Sequence, residues 1–220
     1  MVTNYQYDIE KMYTYLKGFA CGAGMNETLK ALSYAREKHK EQTRKNGVPY
    51  IVHPLSMACY AVALGLKEDS IIATVLLHDV AEDCNVEIET MPFSEKVRNG
   101  VKYMTVNSLY PKESKISVKY RYYKELLNSK EALITKALDR YNNLSDMPFA
   151  LSKDSLGKNA AETELLLLPV LKEAKEKWAD LADILFVLRT NIRSVNDLIK
   201  LQYEESYNHW MEKYKIFDEG

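Results

Sequence analysis

The sequence contains few residues that interrupt helices and few that cross-link a chain. Its 220 residues include eight glycines, six prolines and three cysteines, against 46% hydrophobic and 28% charged residues. The cysteines Cys21, Cys59 and Cys84 are odd in number and have no CxxC spacing. A disulfide framework is therefore not expected, and a reducing compartment is the default.

The sequence also lacks a strong charge of one sign and any long hydrophobic run. A net charge of −1 argues against electrostatic binding of nucleic acid or of an anionic membrane over a broad surface, although a local basic patch that binds a small polyanion is compatible with it. The run ELLLLPVL is far shorter than the roughly 18 apolar residues of a membrane span, and the N-terminus lacks the apolar core of a signal peptide. We therefore expect a soluble, cytoplasmic protein.

Hydrophobic residues recur at helical spacing along most of the chain, with no repeats and no alternation typical of a sheet. This pattern predicts an all-α fold of about eight to ten helices in a single domain over residues 1–220, with its core at about 26–192. A C-terminal helical extension at about 195–216 packs either on this domain or on a second copy, so a homodimer is an open alternative. We expect a loop at 152–159. The predicted helices cover residues 27–42, 54–65, 69–82, 93–104, 116–128, 130–144, 160–177, 179–192 and 195–215.

The stretch TVLLHDVAED, residues 74–83, places four ionisable side chains at the end of the most apolar predicted helix. On a continuous helix His78 and Glu82 share one face, and Asp79 and Asp83 share another about 100° away. Burying an unpaired charge costs several kcal/mol, so such groups are on the surface, paired, or bound to a metal. A helix end with solvated carboxylates is the simpler alternative.

Two further residues favour a metal site. His53 precedes Pro54 at the start of a predicted helix, and Asp139 lies in an apolar helix beside Leu138. Two imidazoles and two carboxylates suit a divalent ion such as manganese, iron or zinc, and four ligands leave positions for water and substrate. This arrangement is typical of a catalytic site rather than a closed structural one.

Four segments resemble a known family. The order His53, His78-Asp79, Asp139 is similar to the H…HD…D signature of HD-domain phosphohydrolases. More closely, AREKHKEQTRKNGVPYIVHP, IIATVLLHDVAED and LITKALDRYNNL resemble the hydrolase domain of RelA/SpoT-type alarmone enzymes, and AAETELLLLPVL resembles the segment that follows. The resemblance covers about residues 30–175 and implies an HD-domain helical bundle, expected to be a stand-alone small alarmone hydrolase.

The resemblance implies an activity and a role for each matching residue. The activity is manganese-dependent removal of the 3′-pyrophosphate from guanosine 3′,5′-bis(diphosphate), giving GDP and pyrophosphate. The implied metal ligands are His53, His78, Asp79 and Asp139. The acidic pair Glu82 and Asp83 is implied to orient or deprotonate the attacking water. The implied substrate contacts are Arg44 and Lys45 at the phosphates and Asn143 at the nucleotide.

The sequence departs from the family where Ser145-Asp146 replaces an Arg-Thr pair near the nucleoside. An acidic Asp146 weakens the prediction of guanine preference more than the prediction of hydrolysis. Asp146 therefore motivates one alternative, an HD phosphohydrolase acting on another phosphorylated nucleotide, such as a deoxynucleotide or NADPH. A second alternative is a non-catalytic nucleotide-binding HD module, against which the intact pair Glu82 and Asp83 argues. We also expect His39 to be a hydrogen-bonded core histidine and Cys84 to be a bystander.

Overall fold

The computed structural model describes residues 9–44, 47–105, 115–146 and 151–218, and every regular element in these ranges is a helix. The all-α prediction is therefore confirmed. Short 3₁₀ turns lie at Ile88–Thr90, Leu126–Asn128 and Ala179–Leu181, and a π-helical turn lies at Thr163–Leu167. The α-helices are α1 Ile9–Ala23, α2 Asn26–Lys38, α3 Val52–Ala63, α4 Asp69–Leu77, α5 Val80–Asp83, α6 Glu95–Met104, α7 Lys115–Glu125, α8 Lys130–Asp146, α9 Lys153–Glu162, α10 Leu168–Lys177, α11 Ala182–Gln202 and α12 Glu204–Asp218.

The chain divides into two compact units, Met1–Val101 and Lys102–Gly220. The prediction of a single domain stays a prediction. Within the described ranges, no helix is both long enough and apolar enough to cross a membrane.

Helix α4 is the buried centre of the first unit. Its residues from Ile71 to Leu77 are all buried, and its first residue, Asp69, binds the start of α2. The Asp69 carboxylate accepts hydrogen bonds from the backbone amides of Glu27, at 2.9 Å, and Thr28, at 2.7 Å. A carboxylate at this position satisfies amides that have no partner inside α2 and complements the helix dipole. Helix α4 is thereby fixed against α2. His78, the residue after the last turn of α4, is held in place with it.

The prediction of one continuous helix over 69–82 is wrong, because the helix breaks at His78 and Asp79. Helix α4 ends at Leu77, Asp79 has φ −99° and ψ −6°, and the four-residue helix α5 follows. The Nδ1 atom of His78 lies 2.8 Å from the carbonyl oxygen of Val75. In an uninterrupted helix that carbonyl would accept from the amide of Asp79. The imidazole therefore competes with the backbone for one acceptor, which favours the break.

In the second unit the predicted loop at 152–159 is wrong, because α9 begins at Lys153. The Ser152 hydroxyl accepts from the backbone amide of Ser155 and caps the helix. Leu156 and Ala160 lie one turn apart on its buried face. The stretch is polar in composition, but a serine cap and two apolar residues at helical spacing are sufficient for a helix that packs on a neighbour.

The C-terminal helices break later than predicted. Helix α11 continues to Gln202, because Ile192, Asn196 and Ile199 keep one buried face through the expected break near 193–194. Helix α12 packs against α9, and a Cβ on Gly157 would lie 2.2 Å from the Ser206 hydroxyl oxygen. The C-terminal helix therefore packs on its own unit, and glycine at 157 permits the close approach.

A buried ionic network links four helices of the second unit around Glu162. Arg140 donates to Oε1 of Glu162 at 2.7 Å, and the hydroxyl of Tyr123 donates to the same oxygen at 2.7 Å. Lys119 pairs with Oε2, and the Tyr214 hydroxyl donates to that oxygen at 3.3 Å. Burial alone would raise the pKa of Glu162, but the charges of Arg140 and Lys119 hold that pKa well below its ordinary value. The carboxylate therefore stays ionised and connects α7, α8, α9 and α12.

Candidate functional site

A tight turn between α2 and α3 delivers the first residues of the site. The amide of Arg44 donates to the Val48 carbonyl and the amide of Gly47 donates to the Arg44 carbonyl, both at 2.8 Å. Gly47 has φ +81°, a conformation that favours glycine. The Tyr50 amide then donates to the Gln42 carbonyl at 2.9 Å. These bonds return the chain toward α2 and place Tyr50 and His53 beside the break after α4.

His53, His78 and Asp79 converge in the first unit. Both histidines are buried, each 3% exposed, and their ring centroids are 5.2 Å apart. Oδ2 of Asp79 lies 2.8 Å from Nε2 of His78 and 3.8 Å from Nε2 of His53. Two imidazole nitrogens and a carboxylate oxygen therefore point at one small volume, and these are donor atoms that a divalent ion binds.

The tautomer of His78 indicates whether the cluster of His53, His78 and Asp79 can bind a cation. A carbonyl only accepts, so Nδ1 of His78 donates to Val75 and carries the ring proton. The neutral ring then presents the lone pair of Nε2 to a carboxylate oxygen only 2.8 Å away. Two such atoms repel each other unless a metal ion or a second ring proton supplies positive charge. Adjacent ligands on an ion with bonds of about 2.1 Å are about 3 Å apart, so the spacing fits a metal centre.

The Tyr50 hydroxyl donates to Oδ2 of Asp79. Burial first, and the carboxylates of Asp79 and Asp83 next, raise the pKa of Tyr50 far above its ordinary value, so its hydroxyl keeps its proton. The ring of Tyr50 stacks on that of His39, with centroids 4.8 Å apart. His39 is buried and its Nδ1 lies 2.6 Å from Oε1 of Gln42. The prediction of a hydrogen-bonded core histidine is confirmed.

The acidic pair Glu82 and Asp83 forms the end of α5. Glu82 and Asp83 are both exposed, and the backbone carbonyl of Asp83 accepts from the side-chain amide of Gln42 at 2.9 Å. Gln42, four residues beyond the end of α2, therefore connects this segment to the acidic pair. Burial raises the pKa of the neighbouring Cys84 thiol. A protonated thiol is a poor nucleophile, which agrees with a bystander role.

Asp139 belongs to the second unit and is buried. Its Oδ2 lies 3.1 Å from the ammonium of Lys136, and its Oδ1 accepts from the side-chain amide of Asn143 at 2.6 Å. Burial alone would lower the pKa of Lys136, but its surroundings, Tyr122 and the carboxylate of Asp139 above all, raise that pKa. Lys136 is thus charged. Both oxygens of Asp139 are therefore held by residues one helical turn away.

The remaining predicted substrate contacts are only partly described. Arg44 is half-buried in the turn before α3, whereas Lys45 lies outside the described residues. Asp146 is the last residue of α8, and its side chain lies outside the described part of the protein. The predicted roles of these three residues stay predictions.

Three residues that contact predicted site residues were not themselves predicted. Tyr50 and Gln42 contact Asp79 and Asp83, and Lys136 contacts Asp139. Lys136 could have been found, because it lies one turn before Asp139 on a helix. Tyr50 lies only three residues before His53, but its partner is 29 positions away and no local spacing indicates it.

The sequence matches the HD domain family over residues 31–107. It is 33% identical over 124 residues to the guanosine-3′,5′-bis(diphosphate) 3′-pyrophosphohydrolase MESH1 of Xenopus tropicalis, covering 54% of this chain and 68% of that protein. It is 31% identical over 185 residues to the guanosine-3′,5′-bis(diphosphate) 3′-pyrophosphohydrolase of Aquifex aeolicus, covering 78% of this chain. This chain spans only 25% of the length of the Aquifex protein.

Among solved structures, the chain is similar to a metazoan ortholog of SpoT that hydrolyzes ppGpp and plays a role in starvation responses. The TM-score is 0.49 and the sequence identity 21%, over 84% of this chain and 95% of that one.

Proposed function

The chain belongs to the family of HD-domain guanosine-3′,5′-bis(diphosphate) 3′-pyrophosphohydrolases, and from this premise we propose that it hydrolyses guanosine 3′,5′-bis(diphosphate), ppGpp. Water attacks the phosphorus bonded to the 3′-oxygen, that P–O bond breaks, and the products are GDP and pyrophosphate. The relatives from Xenopus and Aquifex carry this activity in their names. The convergence of His53, His78 and Asp79 on one point is the observation that carries the proposal.

The proposed metal ligands are His53, His78, Asp79 and Asp139. The donor spacing at Asp79 supports a cation there. Asp139 completes the signature of the family, and its carboxylate is oriented by Lys136 and Asn143. A mixed nitrogen and oxygen set suits Mn²⁺, with Fe²⁺ or Zn²⁺ as alternatives. When bound, such an ion supplies Lewis acidity toward water and toward phosphoryl oxygens.

The proposed proton acceptor is the pair Glu82 and Asp83. Both follow the ligand Asp79 within four residues on α5, and exposed carboxylates are ionised at neutral pH. One of them accepts a proton from the attacking water, and the other helps to orient it. The hydrogen bond from Gln42 to the Asp83 backbone fixes the end of the turn that carries both.

The proposed substrate contacts lie in the turn before α3 and at the end of α8. Arg44 binds a phosphate through two parallel hydrogen bonds, and Lys45 adds a point charge. Asn143 and Asp146 lie one turn or less apart near the end of α8, where we propose that they contact the nucleoside.

We further propose a cytoplasmic location, which the three free cysteines support. A homodimer through α11 is also proposed, since this helix exposes Phe186, Leu198 and Leu201. Light scattering on the purified chain tests the dimer, because it gives the mass directly.

The central test is an assay of pyrophosphate and GDP release from ppGpp by the purified chain, with and without added Mn²⁺. We expect release that requires the divalent ion and is abolished by Asp79→Ala, which also removes the metal. Bound nucleotide without release, in the presence of Mn²⁺, Fe²⁺ or Zn²⁺, would instead favour a non-catalytic nucleotide-binding module.

A second candidate is an HD phosphohydrolase for another phosphorylated nucleotide, and Asp146 favours it. An acidic side chain near the nucleoside repels an extra phosphate but accepts hydrogen bonds from a base or ribose. A panel of ppGpp, deoxynucleotides and NADPH separates the two. We expect Asp146→Thr to raise or leave unchanged the activity on ppGpp relative to the others; a steep fall with intact fold and metal content would make Asp146 a recognition residue for ppGpp.

A further inference from the structure

Tyr50 contacts the candidate metal site from outside the ligand set. Its hydroxyl donates to Oδ2 of Asp79, the same oxygen that lies 2.8 Å from Nε2 of His78 and 3.8 Å from Nε2 of His53. The Asp79 side chain is 28% exposed, so packing alone does not fix its orientation. A hydrogen bond to one carboxylate oxygen selects one rotamer and one oxygen for the imidazoles to face.

Tyr50 is itself held on two sides. Its ring stacks on His39, with centroids 4.8 Å apart and planes inclined by 31°. His39 is buried at the end of α2 and is hydrogen-bonded to the Gln42 side chain. The backbone amide of Tyr50 also donates to the Gln42 carbonyl at 2.9 Å. The hydroxyl is therefore positioned by the fold before any ion binds, so its hydrogen bond to Asp79 costs little additional ordering.

We propose that Tyr50 is a positioning residue of the metal site: its hydroxyl orients the Asp79 carboxylate toward His53 and His78 and thereby raises the affinity for a divalent ion. The inference rests on the part of the proposed function that makes Asp79 a ligand and is independent of which nucleotide is hydrolysed. Groups that hydrogen-bond to metal ligands typically contribute about 10–100-fold to metal affinity.

The substitution Tyr50→Phe separates the hydrogen bond from packing, because it keeps the ring on His39 and removes only the hydroxyl. We expect the dissociation constant for Mn²⁺, measured on the full chain by electron paramagnetic resonance of the free ion, to rise about 10–100-fold. At saturating Mn²⁺ the kcat should return close to that of the unsubstituted protein. Tyr34→Phe is the matched control, since Tyr34 lies in the same unit and packs edge-on against Phe93; its Mn²⁺ affinity should be unchanged.

An unchanged Mn²⁺ affinity in Tyr50→Phe would overturn the inference. The same conclusion would follow if only Tyr50→Leu, which loses the ring as well, weakened binding, because packing would then explain the effect. Thermal melting of each variant shows that the fold is retained. If the unsubstituted chain binds Mn²⁺ and Tyr50→Phe binds it weakly, but neither releases pyrophosphate from ppGpp, the proposed function fails and the role of Tyr50 stands.

Discussion

The side-chain amide of Asn143 donates a hydrogen bond of 2.6 Å to Oδ1 of Asp139, one turn earlier on α8. The family resemblance implies that Asn143 contacts the nucleotide and that Asp139 binds the metal. The hydrogen bond also connects Asn143 to this proposed metal ligand. The two proposed roles of Asn143 affect different quantities, so they can be separated by experiment.

Asn143→Ala should weaken Mn²⁺ binding, because Asp139 loses the donor that orients one of its oxygens. We expect a loss of about 10–100-fold in metal affinity, measured by calorimetric titration, with Asn142→Ala as the adjacent control. A rise in the KM for ppGpp at saturating Mn²⁺, with unchanged metal affinity, would contradict this expectation and assign Asn143 to the nucleotide alone.

Glu82→Gln should retain the metal and lose turnover, because an amide cannot take up a proton from water. The expected fall in kcat is about 10²–10⁴-fold, with Mn²⁺ content measured on the same sample. Asp83→Asn is the matched variant. If Asp83→Asn lost turnover while Glu82→Gln retained it, the base would be Asp83; full activity in both would contradict the mechanism.

Arg44→Ala should raise the KM for ppGpp by about 10–100-fold, which corresponds to the roughly 1.5–3 kcal/mol of a hydrogen bond to a charged group. Arg44→Lys should recover only part of this loss, because lysine cannot make two parallel bonds to one phosphate. Steady-state kinetics on ppGpp and on a nucleotide with fewer phosphates provide the comparison. Arg36→Ala is the control, since Arg36 is an exposed residue of α2 that pairs with Glu10 of α1. Equal losses on both substrates would argue against a phosphate contact.

Glu162→Gln should destabilise the protein, because it leaves Arg140 and Lys119 without their common carboxylate. Removing one partner of a buried pair costs about 3–5 kcal/mol, or about 6–20 °C in Tm for a chain of this size. Glu164→Gln is the control: Glu164 pairs with Lys200 at a partly exposed position, and its loss should cost under about 1 kcal/mol.

The stabilisation that Glu162 provides should depend on pH. The folded state lowers the pKa of Glu162, so the stability that this carboxylate contributes is complete above its unfolded pKa of about 4.3 and is lost as pH falls below that value. The difference in Tm between the unsubstituted protein and Glu162→Gln should therefore be constant from pH 7 to about 5 and shrink below about pH 4. A difference that stays constant down to pH 3 would show that Glu162 does not titrate with folding.

The sequence by itself determined the fold class and the identity of the chemical groups. Helical periodicity depends on which residues are apolar at spacings of three and four, and this information is local. The pattern of His53, His78-Asp79 and Asp139 is likewise defined by residue types and their order along the chain, so no tertiary contact is needed to identify it.

The tertiary structure decided how those groups are held. The break at His78 depends on a side chain taking the Val75 carbonyl from the backbone, and periodicity alone favours an unbroken helix. The hydrogen bond from Tyr50 to Asp79 joins positions 29 residues apart, and Gln42 reaches Asp83 across 41 positions. Such contacts arise only when packing brings distant segments together, because hydrogen bonds act over about 3 Å and not along the chain.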